Sequence, residues 1–389
     1  MKLACVIQRY GAELAGGSEA HCRALAERLA SHHDVTVLTS CAEDHLTWQN
    51  FYSAGDSYVG PVRVRRFLVS RNRQPQRLTE LSELVFRDRA STAEEEAWFH
   101  ENGPQVPGLI DDLRQHGREY DLVLFWSYRY YQSFFGLPVV RDRAVLVPTA
   151  EEDPMIRMRL LGRFFLLPRG YVFLTPEEGD LVAAAADGPL PPSLILGAGL
   201  EPAAIGFAHA GLEPLELADP FVLYLGRVDR NKGCEMLLRC FMQYLDDGRA
   251  PATLVLAGPS SMPVPNHPRI RALGYVAPSV RDALLAQARA LVIPSRFESL
   301  SLALLEGWNL ARPALVNGRC HVLRGQVRRA NAGLYFDRYD DFAESLEYLL
   351  TRPDEAGRLG RQGLAYVEQH YSWPVVMERF ESFLERLSS

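Results

Sequence analysis

The sequence has few cysteines, and none of them are spaced to hold a metal ion or a disulfide framework. Six cysteines are scattered over 389 residues, and no two of them form a CxxC pair. Zinc sites and small secreted disulfide scaffolds both depend on such close pairs. The sequence therefore predicts neither of them, and it fits the reducing environment of the cytoplasm.

Long apolar runs and an excess of basic residues are also missing. No segment approaches the roughly 20 consecutive apolar residues that a membrane-spanning helix needs. The apolar run near the first residue is only about five residues long, which predicts a first strand rather than a signal peptide. The formal net charge is −6, so a nucleic-acid partner is not expected.

The first glycine-containing loop, residues 11–20, lacks the GxGxxG spacing of dinucleotide-binding proteins. The second predicted strand, DVTVLT at residues 34–39, does not end in the acidic residue that binds an adenosine ribose. A nicotinamide-dependent dehydrogenase is therefore not expected.

Short apolar strands alternate with amphipathic helices through both halves of the sequence. This alternation predicts parallel sheets that are covered by helices on both faces. One predicted helix spans residues 19–32 with Ser18 as its cap, and another spans residues 93–115. A segment rich in Pro and Gly, residues 187–220, separates the halves. The sequence thus predicts an α/β protein of two Rossmann-like, doubly wound domains. The predicted boundaries are residues 1–195, to which residues 371–389 cross back, and residues 196–370.

The segment from Leu291 to Leu310 carries two carboxylates on one strand–loop–helix element. Glu298 and Glu306 are eight positions apart, which is roughly 80° around a regular helix. Between them, Ser299, Leu300 and Ser301 precede a predicted helix, whose free backbone N–H groups form an anion site. An anion site flanked by two carboxylates suits a ligand with hydroxyl groups on both sides of a diphosphate.

A second turn, GRVDRNKG at residues 226–233, leaves a predicted buried strand and enters a helix. Arg227 and Lys232 are five positions apart and can converge on one pyrophosphate, the first as a planar fork and the second as a point charge. Taken alone, such a turn is equally well explained as a solvated loop. Both turns follow strands, and ligands of open α/β sheets gather at the carboxyl ends of the strands.

These motifs together resemble the GT-B glycosyltransferases, specifically the retaining enzymes of family 4. The resemblance rests on GRVDRNKG, on Ala257-Gly258, on LGYV at residues 273–276 and on the Glu298–Glu306 pair within PSRFESLSLALLEG. RYGAELAGGSEAHCRALAERLA near the start is similar to the first loop and helix of that family. The resemblance implies the GT-B fold, in which two Rossmann-like domains face a cleft and a C-terminal helix crosses back to the first domain.

The resemblance also implies roles for individual residues. Arg227 and Lys232 would bind the donor diphosphate and stabilise the leaving nucleotide, and Glu298 would bind hydroxyls of the transferred sugar. Glu306 would accept hydrogen bonds from the ribose hydroxyls. The other implied donor contacts are Gly16, Gly17, Gly226, Gly274, Tyr275, Val276, Ser299, Leu300 and Ser301. No metal and no other cofactor is expected, because the two cations would do the work of a metal ion.

One position departs from the family pattern. Where the family has a histidine after a strand of the first domain, this sequence reads VPTAEEDP, with Glu151 at the best match. A carboxylate can accept a hydrogen bond from a sugar hydroxyl, but it cannot donate one as a neutral imidazole does. Glu151 is therefore a candidate catalytic residue, and a solvated loop or helix cap remains the alternative.

The resemblance implies transfer of a sugar, with retention, from a nucleoside diphosphate sugar to a glycan or lipid-linked acceptor in polysaccharide or glycan assembly. Two alternatives stay open: a non-catalytic sugar-nucleotide binder and a sugar-nucleotide epimerase. The arginines of residues 62–77 and the basic, apolar segment of residues 155–170 suggest peripheral docking on the anionic inner face of a membrane. A core helix with exposed arginines is the alternative for the second segment.

Overall fold

The computed structural model describes residues 1–14, 16–87, 90–203, 217 and 220–389. The chain divides into two compact units. Unit 1 comprises Met1–Ala198 and Met377–Ser389, and unit 2 comprises Gly199–Val376. The predicted linker, residues 187–220, lies partly outside the described residues. Its first part contains a short strand, Ser193–Ile195, which the sequence analysis did not identify.

Unit 1 is built around one sheet with helices on its faces. Its strands are β1 (Lys2–Val6), β2 (Asp34–Ser40), β3 (Gly55–Val59), β4 (Val62–Phe67), β5 (Leu122–Trp126), β6 (Ala144–Val147), β7 (Gly170–Phe173) and β8 (Ser193–Ile195). Its helices are α1 (Gly17–Leu29), α2 (Pro75–Val85), α3 (Thr92–Asn102), α4 (Pro107–His116), α5 (Tyr131–Gly136), α6 (Arg159–Phe164) and α7 (Pro176–Ala185).

The strands of this sheet follow the order β3-β4-β2-β1-β5-β6-β7-β8. They run parallel except for β3, which pairs antiparallel with β4. Strands β5, β6 and β7 are buried along their whole length, as expected for parallel strands with both faces covered. Strand β3 is mostly exposed and polar, so it lacks the apolar pattern that predicts a strand and was not predicted.

Two predicted helices of unit 1 need correction. Helix α1 begins at Gly17, and Ser18 does not cap it. Instead, the Ser18 hydroxyl donates to the carboxylate of Glu19. The single helix predicted over residues 93–115 is two helices, α3 and α4. They are separated by Gly103-Pro104, and the proline has no N–H to continue a helix.

Unit 2 is a second parallel sheet with helices. Its strands follow the order β11-β10-β9-β12-β13-β14. They are β9 (Phe221–Leu225), β10 (Thr253–Ala257), β11 (Ile270–Gly274), β12 (Ala290–Ile293), β13 (Ala314–Asn317) and β14 (Gly333–Phe336). The helices are α8 (Cys234–Asp246), α9 (Pro278–Gln287), α10 (Leu302–Asn309), α11 (His321–Ala330), α12 (Tyr339–Thr351) and α13 (Pro353–His370). Helix α14 (Trp373–Ser388) begins in unit 2 and continues into unit 1.

Each unit has its own apolar core. Because the strands of each sheet are parallel, the loops that follow them gather at one edge. In unit 2 these are the loops after β9, β10, β11 and β12, which contain the motifs identified in the sequence. In unit 1 they are the loops after β1, β2, β5 and β6.

Candidate active site

The loops that follow β9, β10 and β11 lie against one another at the carboxyl edge of the unit 2 sheet. The N–H of Gly226 donates to the Ala257 carbonyl at 3.0 Å, and the N–H of Gly258 donates to the Gly274 carbonyl at 2.8 Å. A β-carbon added at Gly258, which has φ +145°, would lie 2.0 Å from the Gly226 carbonyl oxygen. Glycine is therefore required there, and the three loops approach one another through their backbones.

The turn between β9 and α8 is held by its own side chains and by the end of β12. The carboxylate of Asp229 accepts the backbone N–H of Lys232 at 2.7 Å. A β-carbon at Gly233 would lie 2.3 Å from the Pro294 carbonyl oxygen, so the turn is in contact with the loop that leads to Glu298. Arg227 is 60% exposed, and its Nη1 lies 3.5 Å from the Asp229 carboxylate.

The two motifs of unit 2 meet in an ion pair. Nζ of Lys232 donates to Oε1 of Glu298 at 2.8 Å, across 66 positions of sequence. The side chains are 29% and 12% exposed, so solvent screens this pair less than one on the open surface. Without a ligand, the ammonium and the carboxylate therefore neutralise each other.

The predicted anion site precedes helix α10. Ser299, Leu300 and Ser301 lie in the loop between β12 and this helix, and Ser301 adopts a left-handed conformation with φ +72°. The Leu300 side chain is buried, and its carbonyl accepts a hydrogen bond from the Gln326 amide. The strained residue thus lies at the start of the helix, where the chain turns from the loop into α10.

Glu306, one turn into α10, faces an arginine that sequence analysis missed. Nη1 of Arg281 lies 3.5 Å from Oε1 of Glu306, and the same guanidinium donates to Asp282 at 2.9 Å. Burial raises the pKa of Glu306, while the positive charge of Arg281 opposes the increase. The available signal was the Arg-Asp pair in PSVRDALLAQ, the helix that follows LGYV.

The loop predicted to line the base follows β11, an edge strand. Gly274 is the last residue of the strand and has φ +66°. The next side chain, Tyr275, is 80% exposed. An exposed aromatic ring at the carboxyl edge of the sheet offers a surface on which a planar ring can stack.

In unit 1, the predicted donor contacts Gly16 and Gly17 lie at the start of α1. Gly17 has open space around it, whereas a β-carbon at Gly16 would lie 2.0 Å from the Glu19 carboxylate. Arg9 donates to Glu19 through Nε at 3.0 Å, and both side chains are largely buried. The positive N-terminal end of α1 therefore already has the Glu19 carboxylate beside it. Contact of Gly16 and Gly17 with a diphosphate stays a prediction.

Glu151 lies in the loop after β6, near a second arginine that the sequence analysis did not single out. Nη2 of Arg129 lies 3.8 Å from Oε2 of Glu151 and 3.2 Å from Oδ2 of Asp153. Arg129 follows the buried strand LVLFW, and this position at a strand end was the signal that could have identified it.

A buried carboxyl group fixes the position of the loop after β6 through backbone hydrogen bonds. The carboxyl oxygens of Glu178 accept the N–H of Ala150 at 2.6 Å and that of Leu174 at 2.5 Å. Burial raises the pKa of Glu178 to about 8, although these two hydrogen bonds oppose the increase. The side chain of Glu178 thereby joins the loops after β6 and β7.

His21 and the arginines of residues 62–77 make contacts within unit 1. His21 is 5% exposed and bonded to Gly197 and Trp126. The arginines of the 62–77 segment have partners within unit 1. Arg65 contacts Asp56 and Asp112, Arg66 donates to the Tyr10 carbonyl, and Arg73 donates to the Asn102 carbonyl. The local excess of positive charge in the sequence is therefore largely used inside the fold.

The segment of residues 155–170 contains only short helical turns, including α6. None of the helices in the described part of the chain combines the length and apolarity that crossing a membrane requires.

Part of the chain matches a known protein family, and its fold resembles solved structures. Residues 219–352 match the model of the family "Glycosyl transferases group 1". The chain matches none of the curated protein sequences. Among solved structures, it resembles a sucrose-phosphate synthase from Thermosynechococcus elongatus with a TM-score of 0.73 and 17% identity, over 99% of this chain and 98% of that one.

Two further structures resemble the chain and contain nucleotides. An E. coli trehalose-6-phosphate structure bound with UDP-2-fluoro glucose has a TM-score of 0.73 and 13% identity, over 100% and 99% of the two chains. Anabaena HepE in complex with UDP and glucose has a TM-score of 0.69 and 14% identity, over the same shares. At these identities the likeness establishes the fold, and the predicted fold class is confirmed.

Proposed function

We propose that this protein transfers a sugar from a nucleoside diphosphate sugar to an acceptor. Its chain has the GT-B fold, and residues 219–352 match the glycosyl transferases group 1 model. The acceptor is a glycan or a lipid-linked acceptor, and the anomeric configuration is retained. The reaction takes place in the cytoplasm, which the six buried free thiols of the chain support.

The observation that supports this function best is the Lys232–Glu298 contact of 2.8 Å. It brings together the two motifs that are 66 positions apart in sequence, at the edge of the sheet where ligands of open α/β folds bind. A donor diphosphate would draw Lys232 away from Glu298, and the freed carboxylate would accept hydrogen bonds from the sugar. Glu306, half-buried beside Arg281, would accept from the ribose hydroxyls in the same way.

The proposed chemistry needs positive charge where the nucleoside diphosphate leaves. Negative charge develops on the phosphate oxygens as the bond to the sugar breaks, and fixed cations lower the barrier most where that charge develops. Arg227 is exposed and able to turn toward a ligand, and Lys232 supplies a second cation. These two residues take the role that a metal ion has in other transferases. The anomeric configuration is retained because the acceptor attacks from the same face that the nucleoside diphosphate leaves.

The neighbours in fold support the donor class. UDP and a UDP-sugar are named in the complexes of the two nucleotide-containing neighbours. We therefore place UDP-sugars first in a screen of UDP-, GDP-, ADP- and dTDP-sugars. The base itself would lie against the exposed ring of Tyr275, with Gly274 and Val276 beside it.

A thermal-shift screen tests the proposal. A ligand that binds only the folded protein, at 100 times its dissociation constant, adds about 2.7 kcal/mol to the free energy of unfolding. We expect one class of nucleotide sugar to raise the melting temperature, and its nucleoside monophosphate, the control, to raise it less. If none of the four classes raises it, the proposed function is wrong. Analysis of the products with and without acceptor then separates transfer from epimerisation.

Contact of unit 1 with an anionic membrane stays a hypothesis. Co-sedimentation with liposomes that contain an anionic lipid, compared with neutral liposomes, tests it. Binding that is equal in both would remove the hypothesis.

A further inference from the structure

The carboxyl edge of the unit 1 sheet carries a mixed cluster of charged side chains. Arg129 follows β5, and Glu151 and Asp153 follow the neighbouring strand β6. One guanidinium nitrogen, Nη2 of Arg129, lies within 4 Å of both carboxylates. The three side chains are 24%, 29% and 21% exposed. All three are thus partly buried and still open to a ligand.

The loop that carries the two carboxylates is held at several points. Glu178 accepts the N–H of Ala150, directly before Glu151. Asp153 accepts the N–H of Met155 at 3.1 Å in addition to its contact with Arg129. Because the backbone is held on both sides of Glu151, this carboxylate has a preset position. Preset groups lose less conformational freedom when a ligand binds.

Two buried polar side chains, one directly before Arg129 and one three positions after it, lack hydrogen-bond partners. Tyr128 and Gln132 are both 0% exposed. The Tyr128 hydroxyl and both polar atoms of the Gln132 amide have no hydrogen-bond partner among the described residues. Buried polar groups in folded proteins are nearly always satisfied, and those that are not call for a bound molecule or a functional reason.

The Tyr128 hydroxyl belongs to the same cluster. Burial raises the pKa of Tyr128, the positive charge of Arg129 opposes the increase, and the negative charges of Asp153 and Glu151 add to it. The hydroxyl therefore lies within electrostatic reach of both carboxylates. We name Arg129, Glu151, Asp153 and Tyr128 the Arg129 cluster.

The charge of the cluster decides which ligand it can accept. One guanidinium is shared between two carboxylates, and a further carboxylate, Glu152, lies between them in the sequence. Carboxylates accept hydrogen bonds from hydroxyl and ammonium groups but have no proton to give to a phosphate. A phosphate placed here would face two like charges, with a guanidinium that is already engaged.

We propose that the Arg129 cluster binds the hydroxyl or amino groups of an unphosphorylated acceptor sugar and discriminates against an acceptor that carries a phosphate at this position. This inference rests on the proposed function, because it names the acceptor class of the same enzyme. In this arrangement Glu151 and Asp153 contact the sugar, while Arg129 is a positioning residue that acts through them.

Direct binding to the full-length protein tests the proposal. The probes are glucose, galactose and mannose, their 6-phosphates, and the corresponding hexosamines, measured by saturation-transfer NMR titration. We expect at least one neutral or amino sugar to bind about tenfold or more tightly than its 6-phosphate, since like-charge contacts oppose binding. A 6-phosphate that binds equally or more tightly overturns the proposal, as does a panel in which no sugar binds.

A charge-neutral double variant tests the role of the two carboxylates, and a change at Arg143 is its matched control. Glu151→Gln with Asp153→Asn keeps the shape of both side chains and removes both charges. We expect this double variant to lose most of the roughly tenfold discrimination against the 6-phosphate. Arg143→Gln changes an arginine before β6, at the other end of the same strand, where it bonds the Tyr120 carbonyl at 2.6 Å. We expect it to keep the discrimination.

Unchanged discrimination in the double variant would overturn the proposal, and a melting curve of each protein shows whether it is folded. Calorimetric binding of the nucleotide sugar to the same preparations separates this inference from the proposed function. If the donor binds but the phosphorylated sugar is preferred, only the inference about the acceptor is wrong. If no nucleotide sugar binds, the proposed function itself is wrong.

Discussion

At the level of single residues, the charged groups of unit 2 are paired with one another before any ligand binds. Lys232 contacts Glu298, Arg281 contacts Glu306, and Arg227 lies near Asp229. Such pairing keeps partly buried charges from being left without a counter-charge, which would be costly. A donor would therefore have to exchange these internal contacts for its own.

Lys232→Ala should reduce turnover by at least about 10²-fold, because it removes a cation from the site where negative charge develops. Steady-state rates with the donor found in the thermal-shift screen provide the measurement. Arg230→Ala is the control, since Arg230 belongs to the same turn but is 75% exposed and lies near Glu235. Full activity of the Lys232 variant would show that the turn does not bind the diphosphate.

Glu306→Ala should weaken donor binding by about ten- to hundredfold, in line with the ~1.5–3 kcal/mol of a hydrogen bond to a charged group. The variant also leaves Arg281 without one of its two carboxylates. Titration calorimetry measures the effect. Asp282→Asn removes the other carboxylate and should bind the donor normally, so equal losses in both variants would argue against a ribose contact at Glu306.

At the level of secondary-structure elements, His21 joins α1 to β5 and to the last residues of unit 1 before the chain enters unit 2. Its Nδ1 lies 3.1 Å from the Trp126 indole nitrogen, and its Nε2 lies 2.9 Å from the Gly197 carbonyl oxygen. An indole N–H can only donate and a carbonyl can only accept. The ring must therefore be neutral, with its proton on Nε2, and burial lowers the pKa of His21 to about 4.

This depressed pKa predicts a pH dependence of stability. Between pH 6.5 and about 4 the unfolded chain binds a proton at His21 that the folded chain does not, so the free energy of unfolding falls as the pH falls through this range. The expected loss is roughly 3 kcal/mol, at about 1.4 kcal/mol for each pH unit. Urea denaturation at several pH values measures it.

His21→Gln is the control for this prediction. A glutamine can accept from the Trp126 indole and donate to the Gly197 carbonyl, but it does not titrate. The difference in stability between the wild type and the variant should therefore depend on pH only below about pH 6.5. A parallel pH profile for both proteins would contradict the assigned cause.

The close contact between Gly258 and the loop after β9 predicts an effect on the stability of unit 2. Gly258→Ala would place a β-carbon 2.0 Å from the Gly226 carbonyl oxygen, so the two loops must separate. We expect a destabilisation of roughly 1–3 kcal/mol from strain and displaced backbone, seen as a lower melting temperature. Gly248→Ala is the control, because Gly248 also has a positive φ, +65°, but no atom within 4 Å of the added carbon. Equal effects of both changes would mean that the contact with Gly226 is unimportant.

At the level of the whole molecule, each unit has a separate core, and the donor residues with clear contacts lie in unit 2. A nucleotide sugar should therefore slow amide hydrogen exchange by roughly tenfold or more, mainly in residues 226–233, 274–276 and 298–306. Hydrogen-exchange mass spectrometry measures this protection. Helix α12, which contains none of the predicted site residues, is the internal control. Protection confined to unit 1 would contradict the assignment of the donor to unit 2.

Much of the fold follows from short apolar strands and the periodicity of the helices between them. Strand β12, Ala290–Ile293, is an example, because it is apolar throughout and is ended by Pro294. The exposed strand β3 and the division between α3 and α4 were missed. Strand β3 forms by pairing with β4, and the helix is interrupted at Gly103-Pro104. Neither feature is marked by a hydrophobic pattern.

The sequence by itself determined the two-domain α/β class and the positions of the glycine-rich turns and the two glutamates, since these depend on local patterns and fixed spacing. Only the tertiary structure decided which charges meet. Lys232 meets Glu298, and Arg129 meets Glu151 and Asp153, because each pair of loops follows neighbouring parallel strands. Arg281 meets Glu306 between helices α9 and α10. Strand order brings these loops together, and spacing along the chain does not encode strand order.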